Sequence, residues 1–297
     1  MSNPNFLFNH SVHLPILRVN TEGAFADEDT LAGEEPLEIV LAFGETNHRR
    51  RQSISVTMRT PTGNDFELAL GFLLTEGVIK DYNDVISVRY TASELDESAQ
   101  TNVVQVDLKP SVKFDVERLQ RHFYTSSSCG VCGKTSLDMV QTTTCFWLKK
   151  GLPRVKSTIL MHLPEKLRQA QSVFDATGAI HAAALFDTEG SLIALREDVG
   201  RHNALDKLIG WAMQNKRLPL SNSILLVSGR SSFELVQKAL MAGIPILAAV
   251  GAPSSLAVQL ANENDMTVVG FLKNNRFNIY SSFERIEVTS ELIAFPQ

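Results

Sequence analysis

Three features of the sequence predict an α/β fold built on a parallel sheet, with a smaller N-terminal α+β domain. Residues 224–228, 245–250 and 267–272 are continuous apolar runs, and amphipathic helical segments at 231–241 and 254–262 separate them. Strands without alternation belong in a sheet covered on both faces, because a wet face would show a polar residue at every second position. Residues 35–110 instead show shorter, partly alternating strands around one helix, the pattern of a small α+β module. The 44% hydrophobic composition of the 297 residues supplies enough core for two domains or one large one.

In chain order, residues 1–34 read as a poorly ordered tail. Seven acidic residues and no basic ones fall between Glu22 and Glu38, so only one extended piece, near 12–19, is expected there. The α+β domain is placed at 35–124. Its strands are expected at 37–43 and 53–58, on either side of a basic turn at His48-Arg49-Arg50-Arg51, and at 85–88 and 103–106. Its helix is expected at 66–75, stopped by Gly77. Further helical segments are expected at 116–123 and 136–140. The α/β domain is placed at 125–297. It opens with a helix at 163–177 that turns into a strand ending at Phe186, and a strand at 191–196 pairs back through Glu189-Gly190. Ser231 and Glu234 have the spacing of a capping box at the start of the next helix.

Composition excludes several classes. A net charge of −5 without a long basic block gives no general attraction to nucleic acid. The first residues lack a signal peptide, and no apolar run is long enough to span a bilayer, so the expectation is a cytoplasmic protein that meets no membrane. Nucleotide-hydrolase, dinucleotide, metalloprotease and serine-hydrolase signatures are missing.

Two of three cysteines lie in Ser126-Ser127-Ser128-Cys129-Gly130-Val131-Cys132-Gly133-Lys134. Glycines let another molecule approach the sulfurs, and Lys134 favours thiolate over thiol. A thiolate pair at this spacing can bind metal, form a disulfide or carry sulfur as a persulfide. Zinc would need Cys145 and His181 as further ligands, and no second short-spaced knuckle exists, so no permanently bound metal is expected. Thiol-disulfide oxidoreduction stays open on the Cys-Gly-x-Cys spacing.

The strand-helix rhythm marks a second site. Ligands of open parallel sheets collect beyond the carboxyl ends of the strands. Three strands end there, in Ser228-Gly229-Arg230, Gly251-Ala252-Pro253 and Lys273-Asn274-Asn275-Arg276. Two of these endings run into helix N-termini, and Arg230, Lys273 and Arg276 suit phosphate. The densest charged cluster, Arg196-Glu197-Asp198-Val199-Gly200-Arg201-His202-Asn203-Ala204-Leu205-Asp206-Lys207, lies at another strand-to-helix transition. Arg201 and His202 are its candidate ligand contacts.

Together with Thr177-Gly178-x-x-His181, Ser228-Gly229-Arg230-Ser231-Ser232-Phe233-Glu234-Leu235-Val236-Gln237-Lys238 and Val269-Gly270-Phe271-x-Lys273, these motifs resemble the formate dehydrogenase accessory sulfurtransferases, the FdhD family, over about residues 35–285. The resemblance implies a cytidine-deaminase-like three-layer domain, without deaminase chemistry because Ala182 and Ala183 stand where the His-x-Glu zinc signature would continue. It implies a sulfur relay from a cysteine desulfurase, as a persulfide, to the metal of a bis(molybdopterin guanine dinucleotide) cofactor bound as substrate, in the service of formate dehydrogenase. Cys129 would be the persulfide carrier and Cys132 an assisting thiol. Phe271, Leu272, Lys273, Asn274, Asn275 and Arg276 would contact the cofactor, with GDP as a mimic, and the protein would be a homodimer. The family loop is Phe-x-Lys-Pro-Gly-Arg. Asn274-Asn275 replaces Pro-Gly here, and asparagine tolerates positive φ better than most residues.

Overall fold

The structure, a computed structural model, describes residues 10–61, 63–91, 102–113 and 146–288. Its first element corrects the expected tail. β1 (Ser11–Asn20) and β2 (Gly23–Ala32) pair antiparallel along their whole length, from Ser11 opposite Ala32 to Asn20 opposite Gly23. The acidic residues do not prevent this, because a two-stranded ribbon leaves both faces in water and Arg18 offsets Asp27. Gly23, at φ +146°, and a bond from the Glu22 N–H to Asn20 Oδ1 make the turn.

β3 (Glu35–Phe43), β4 (Arg50–Arg59), α1 (Asp65–Thr75), β5 (Val85–Tyr90) and β6 (Val103–Leu108) follow, and the strands form a sheet of order β4-β3-β6-β5. The expected strands and helix of this part all form. The expected segments at 116–123 and 136–140 lie outside the described residues.

After β7 (Val155–Lys156), the expected helix at 163–177 is two helices, α2 (Ser157–Ala170) and α3 (Ser172–Thr177). Gln171, at ψ 85°, breaks them. The reason is tertiary: the buried Glu197 carboxylate accepts the N–H groups of Val173 and Phe174, so α3 is capped as a helix of its own. Gly178, in the left-handed region, ends it.

The remaining elements are β8 (His181–Asp187), β9 (Leu192–Asp198), α4 (Arg201–Gln214), β10 (Ser223–Val227), α5 (Phe233–Met241), β11 (Ile246–Ala249), α6 (Ser255–Glu263), β12 (Thr267–Lys273), β13 (Arg276–Ile279) and β14 (Ile286–Glu287). Six strands make one mixed sheet of order β13-β12-β11-β10-β8-β9. β10, β11 and β12 are parallel, and the other three strands are antiparallel to their neighbours. Ala182, Ala184, Phe186, Ile224 and Leu226 face α2. The opposite face, with Ala183, Leu185, Leu225 and Val227, packs on α4, α5 and α6.

The two expected domains share that second core. Leu37, Ile39 and Leu41 of the four-stranded sheet join it through α1, which crosses α4. The crossing depends on two glycines. A Cβ on Gly71 would collide with the Asp206 carbonyl, and one on Gly210 with the Glu67 carbonyl. Backbone meets backbone there, which holds the small sheet in fixed register against the large one.

Candidate functional site

The parallel strands β10, β11 and β12 finish on one edge of the large sheet, as their register requires. Backbone bonds lock the loops beyond them into a shelf. The Gly251 N–H donates to Gly229 O at 3.0 Å, Ser231 N–H to Ala252 O at 3.2 Å, and Phe271 N–H to Gly251 O at 3.0 Å. Gly251 and Gly270 sit where a Cβ would be crowded, by Arg230 Cγ at 3.0 Å and Pro253 Cδ at 2.8 Å respectively. β8 starts on the same edge with His181, and β9 ends there at Asp198 before α4 begins at Arg201.

Arg230, Lys273 and Arg276 are exposed on this shelf and Arg201 is half-buried. None of the four forms an ion pair among the described residues. An edge that gathers cations and two helix starts without carboxylates to answer them is suited to a phosphate-bearing ligand. The family-type loop only partly fits its expected role. Leu272 is fully buried in the core beneath the sheet, so it anchors the loop and does not reach a ligand. Lys273 and Arg276 pair across a two-residue turn made by Asn274 and Asn275. Neither asparagine takes positive φ; the residue that does is Phe271, at φ +53° and 44% exposed, beside an irregularity in the β12–β13 ladder. A left-handed aromatic residue is uncommon, and such backbone strain is found where function or surrounding structure demands it.

β12 and β10 are two strand spacings apart, so the Lys273 and Arg230 endings lie roughly 10 Å from each other along the shelf. Arg276 also borders a separate, mostly apolar hollow of about 420 Å³ with Phe277 and Phe283.

The charged cluster at 196–207 serves mainly to join the two sheets. Arg196 donates to the Glu67 carboxylate of α1 through Nε and Nη2. Asp198 and Lys207 are fully buried and 2.6 Å apart. Asp198 also accepts the Thr60 and Gly200 N–H groups and Asn203 Nδ2, while Lys207 donates to Thr60 O. Asp206 accepts from Lys238 of α5 at 2.8 Å and from Thr75 of α1 at 2.9 Å. Burial would lower the Lys238 pKa, but Asp206 and Glu76 outweigh it and raise the value, so the ammonium stays charged.

His202 belongs to neither group cleanly. Its Nε2 lies 2.8 Å from Glu234 Oε2. That contact replaces the expected capping box: the residue before α5 is Ser232, no side chain caps the helix, and the buried Ser231 hydroxyl has no partner among the described residues. Glu234 turns towards the histidine of the neighbouring helix rather than back to Ser231.

Beside the shelf, between α2, α3 and the start of β8, lies a cavity of about 550 Å³. Its walls include Gln171, Phe174, His181, Ser228 and Val250. Burial, and then the neighbouring Arg201 and His202, hold the His181 pKa below its ordinary value. The sequence reading missed Gln171, placing it inside one long helix; the T-G-x-x-H motif next to it was the available signal. Cys129, Cys132, Lys134 and Cys145 lie outside the described residues. No cluster of metal-ligating side chains occurs among the described ones.

The FdhD/NarQ family model matches residues 32–287. The chain belongs to the FdhD/NarQ family. It is 50% identical over 273 residues to the sulfur carrier protein FdhD of Streptomyces coelicolor, covering 91% of this chain and 94% of that one. The protein of the same name from Mycobacterium tuberculosis is 48% identical over 280 residues, covering 93% and 98%. That of Sulfurisphaera tokodaii is 43% identical over 271 residues, covering 91% and 97%. The fold matches the crystal structure of a formate dehydrogenase accessory protein from Desulfotalea psychrophila with a TM-score of 0.69, at 21% identity, covering 93% of this chain and 99% of that one. The match confirms the mixed α/β architecture. Among the described residues of this FdhD/NarQ member, no helix is long and apolar enough to cross a membrane.

Proposed function

We propose that this chain is a cytoplasmic sulfurtransferase that serves formate dehydrogenase. Membership of a family whose relatives are named sulfur carriers is the observation that carries the reading; the cationic shelf supplies a place for the acceptor. The Cys129 thiolate attacks the outer sulfur of a desulfurase persulfide, and the desulfurase thiolate leaves. Cys132 then attacks the Cys129 sulfur. The outer sulfur departs as sulfide to the metal of a bis(molybdopterin guanine dinucleotide) substrate, and a Cys129–Cys132 disulfide remains, with both electrons taken from the thiols. A cellular dithiol reductant resets the pair. Arg201, Arg230, Lys273 and Arg276 hold the dinucleotide phosphates through charge-assisted bonds. The arrangement is read as cytidine-deaminase-like in its larger part, and the working unit as a homodimer.

Intact-mass measurement tests the relay directly. Incubation with a cysteine desulfurase and cysteine should add about one sulfur atom to the chain and none to the Cys129→Ala variant, which should also fail to activate formate dehydrogenase. Full activation by that variant would reject Cys129 as the carrier.

A further inference from the structure

β13 is the outermost strand of the six-stranded sheet. Its Tyr280 N–H donates to Val268 O at 2.8 Å, and Ile279 stands opposite Val269. Hydrogen-bonded and non-bonded residues alternate along an antiparallel pair, so Phe277 and Ile279 carry their backbone groups to the outer side. Neither has a backbone partner there among the described residues. An edge of this kind accepts an extended peptide as one more strand.

The hollow of about 420 Å³ beside β13 describes the side chains such a strand would carry. It lies between β13, the first turns of α2 and the short helical turn Phe283–Arg285. Met161, Phe277, Ile279 and Phe283 make it apolar and aromatic, and Phe283 is 61% exposed. Opposite residues of neighbouring strands point to the same face, so the residues facing Phe277 and Ile279 drop into the hollow. At its wall Ser157 is 2% exposed, and its hydroxyl finds no hydrogen-bond partner among the described residues. A buried hydroxyl without a partner is costly, so the hollow suits an occupant that brings one. Arg276, at the rim, is exposed and forms no ion pair among the described residues.

We propose that β13 and this hollow dock an extended acidic segment of a partner protein. The segment adds a strand to the sheet edge, seats a tyrosine side chain against Ser157 and sets a carboxylate on Arg276. The aromatic lining with one unmet hydroxyl selects tyrosine over an aliphatic side chain, and the uncompensated cation selects an acid over a base. Arg276 also belongs to the shelf, so docking has a second consequence, which rests on the proposed phosphate binding there. A partner carboxylate draws Arg276 away from a phosphate, so docking loosens the shelf's hold on its ligand, and the ligand loosens the partner equally.

Fluorescence anisotropy on the full chain tests this with a labelled, end-capped peptide, Thr-Val-Thr-Tyr-Thr-Val-Asp. In an antiparallel partner its tyrosine faces Ile279 when its aspartate faces Arg276. N-methylation of the backbone at the tyrosine and the second valine should weaken binding about tenfold or more. Phe283→Ser should weaken it about tenfold. The tyrosine peptide should bind about fivefold better than a phenylalanine version, and Ser157→Ala should erase that preference. Arg276→Gln should weaken the peptide about fivefold and leave an asparagine version within about twofold. Saturating peptide should weaken inorganic pyrophosphate about threefold, whereas Phe283→Ser alone should leave pyrophosphate unchanged. Peptide binding without any pyrophosphate binding overturns the shelf and leaves the dock standing; pyrophosphate binding indifferent to bound peptide overturns the coupling. No peptide binding, or binding indifferent to N-methylation and to Phe283→Ser with unchanged thermal unfolding, rejects the dock. Binding that appears only once residues 289–297 are removed rejects it too, by making the chain its own occupant. Loss of a dimer in Phe283→Ser by sedimentation rejects it by making a second copy the occupant.

Discussion

Lys207 in α4 and Arg230 just beyond β10 are both cations on the larger sheet's side of the molecule, yet they do opposite things. Lys207 is fully buried, 2.6 Å from Asp198, with a backbone carbonyl to accept a second of its protons. Arg230 stands exposed at the carboxyl edge of the sheet and forms no ion pair among the described residues. The same contrast separates the whole inter-sheet network, with Arg196–Glu67, Asp198–Lys207 and Asp206–Lys238, from the shelf cations Arg201, Arg230, Lys273 and Arg276. Charge inside the joint is answered by the chain itself. Charge on the shelf is left for something else to answer.

Breaking the joint should have the largest effect. Lys207→Ala leaves Asp198 buried and uncompensated, and should cost about 3–5 kcal/mol in urea unfolding. The double change Asp206→Leu with Lys238→Met should cost much less than either single change, because it removes both charges together. Equal losses for the double and single variants would mean that the pair itself carries the stability.

The crossing of α1 and α4 sharpens the same point without charge. Alanine is favoured over glycine in a helix by roughly 0.5–1 kcal/mol. At Gly210 the added Cβ would meet the Glu67 carbonyl. Gly210→Ala should therefore destabilise by about 1–3 kcal/mol, the range for overpacking. A gain in melting temperature would show that the helices can slide apart at no cost.

Much of the larger sheet was legible in the sequence because continuous apolar runs leave few alternatives. Residues 224–228, 245–250 and 267–272 all became neighbouring strands, and their order placed Arg230 and Lys273 on one edge. What was illegible depended on contacts distant in sequence. Nothing local says that Glu197 will cap α3 and split an expected helix at Gln171. Nor does local spacing say that Glu234 will choose His202 over Ser231. In the charged motif at 196–207, where Arg201 and His202 are the candidate contacts, spacing does not say which of the other groups turn inward; burial does. Asp198, Asp206 and Lys207 turn inward, and Arg201 lies half-buried at the shelf. The hairpin at Ser11–Ala32 was hidden by its acidic composition, which describes solvation and says little about pairing.

The shelf should respond to substitution in the reverse way. Arg230→Ala with Lys273→Ala should leave unfolding within about 0.5 kcal/mol of wild type, since neither side chain is tied into the fold. GDP affinity should fall about tenfold or more, and the wild-type affinity should itself drop with added salt. Calorimetry at two salt concentrations measures both. Lost stability with unchanged affinity would move these residues into the structural class.

His181 lies between the two regions and should give the smallest effect. Burial comes first among the causes that lower its pKa, followed by the neighbouring Arg201 and His202, while Asp198 opposes them. In the unfolded chain the imidazole takes a proton near pH 6.5; in the folded protein it does so only at lower pH. Between those values the unfolded state binds more protons, so stability rises with pH there and falls as the pH drops below about 6.5. The chain carries six other histidines, so the informative quantity is a difference. The fall in urea midpoint between pH 7.5 and 5.5 should be shallower in His181→Asn than in wild type, by less than the Gly210→Ala loss. Identical slopes would mean that the imidazole is as free to protonate in the fold as in water. The cavity wall would then have to be read as open to solvent at that point, with His181 belonging to the shelf and not to the joint.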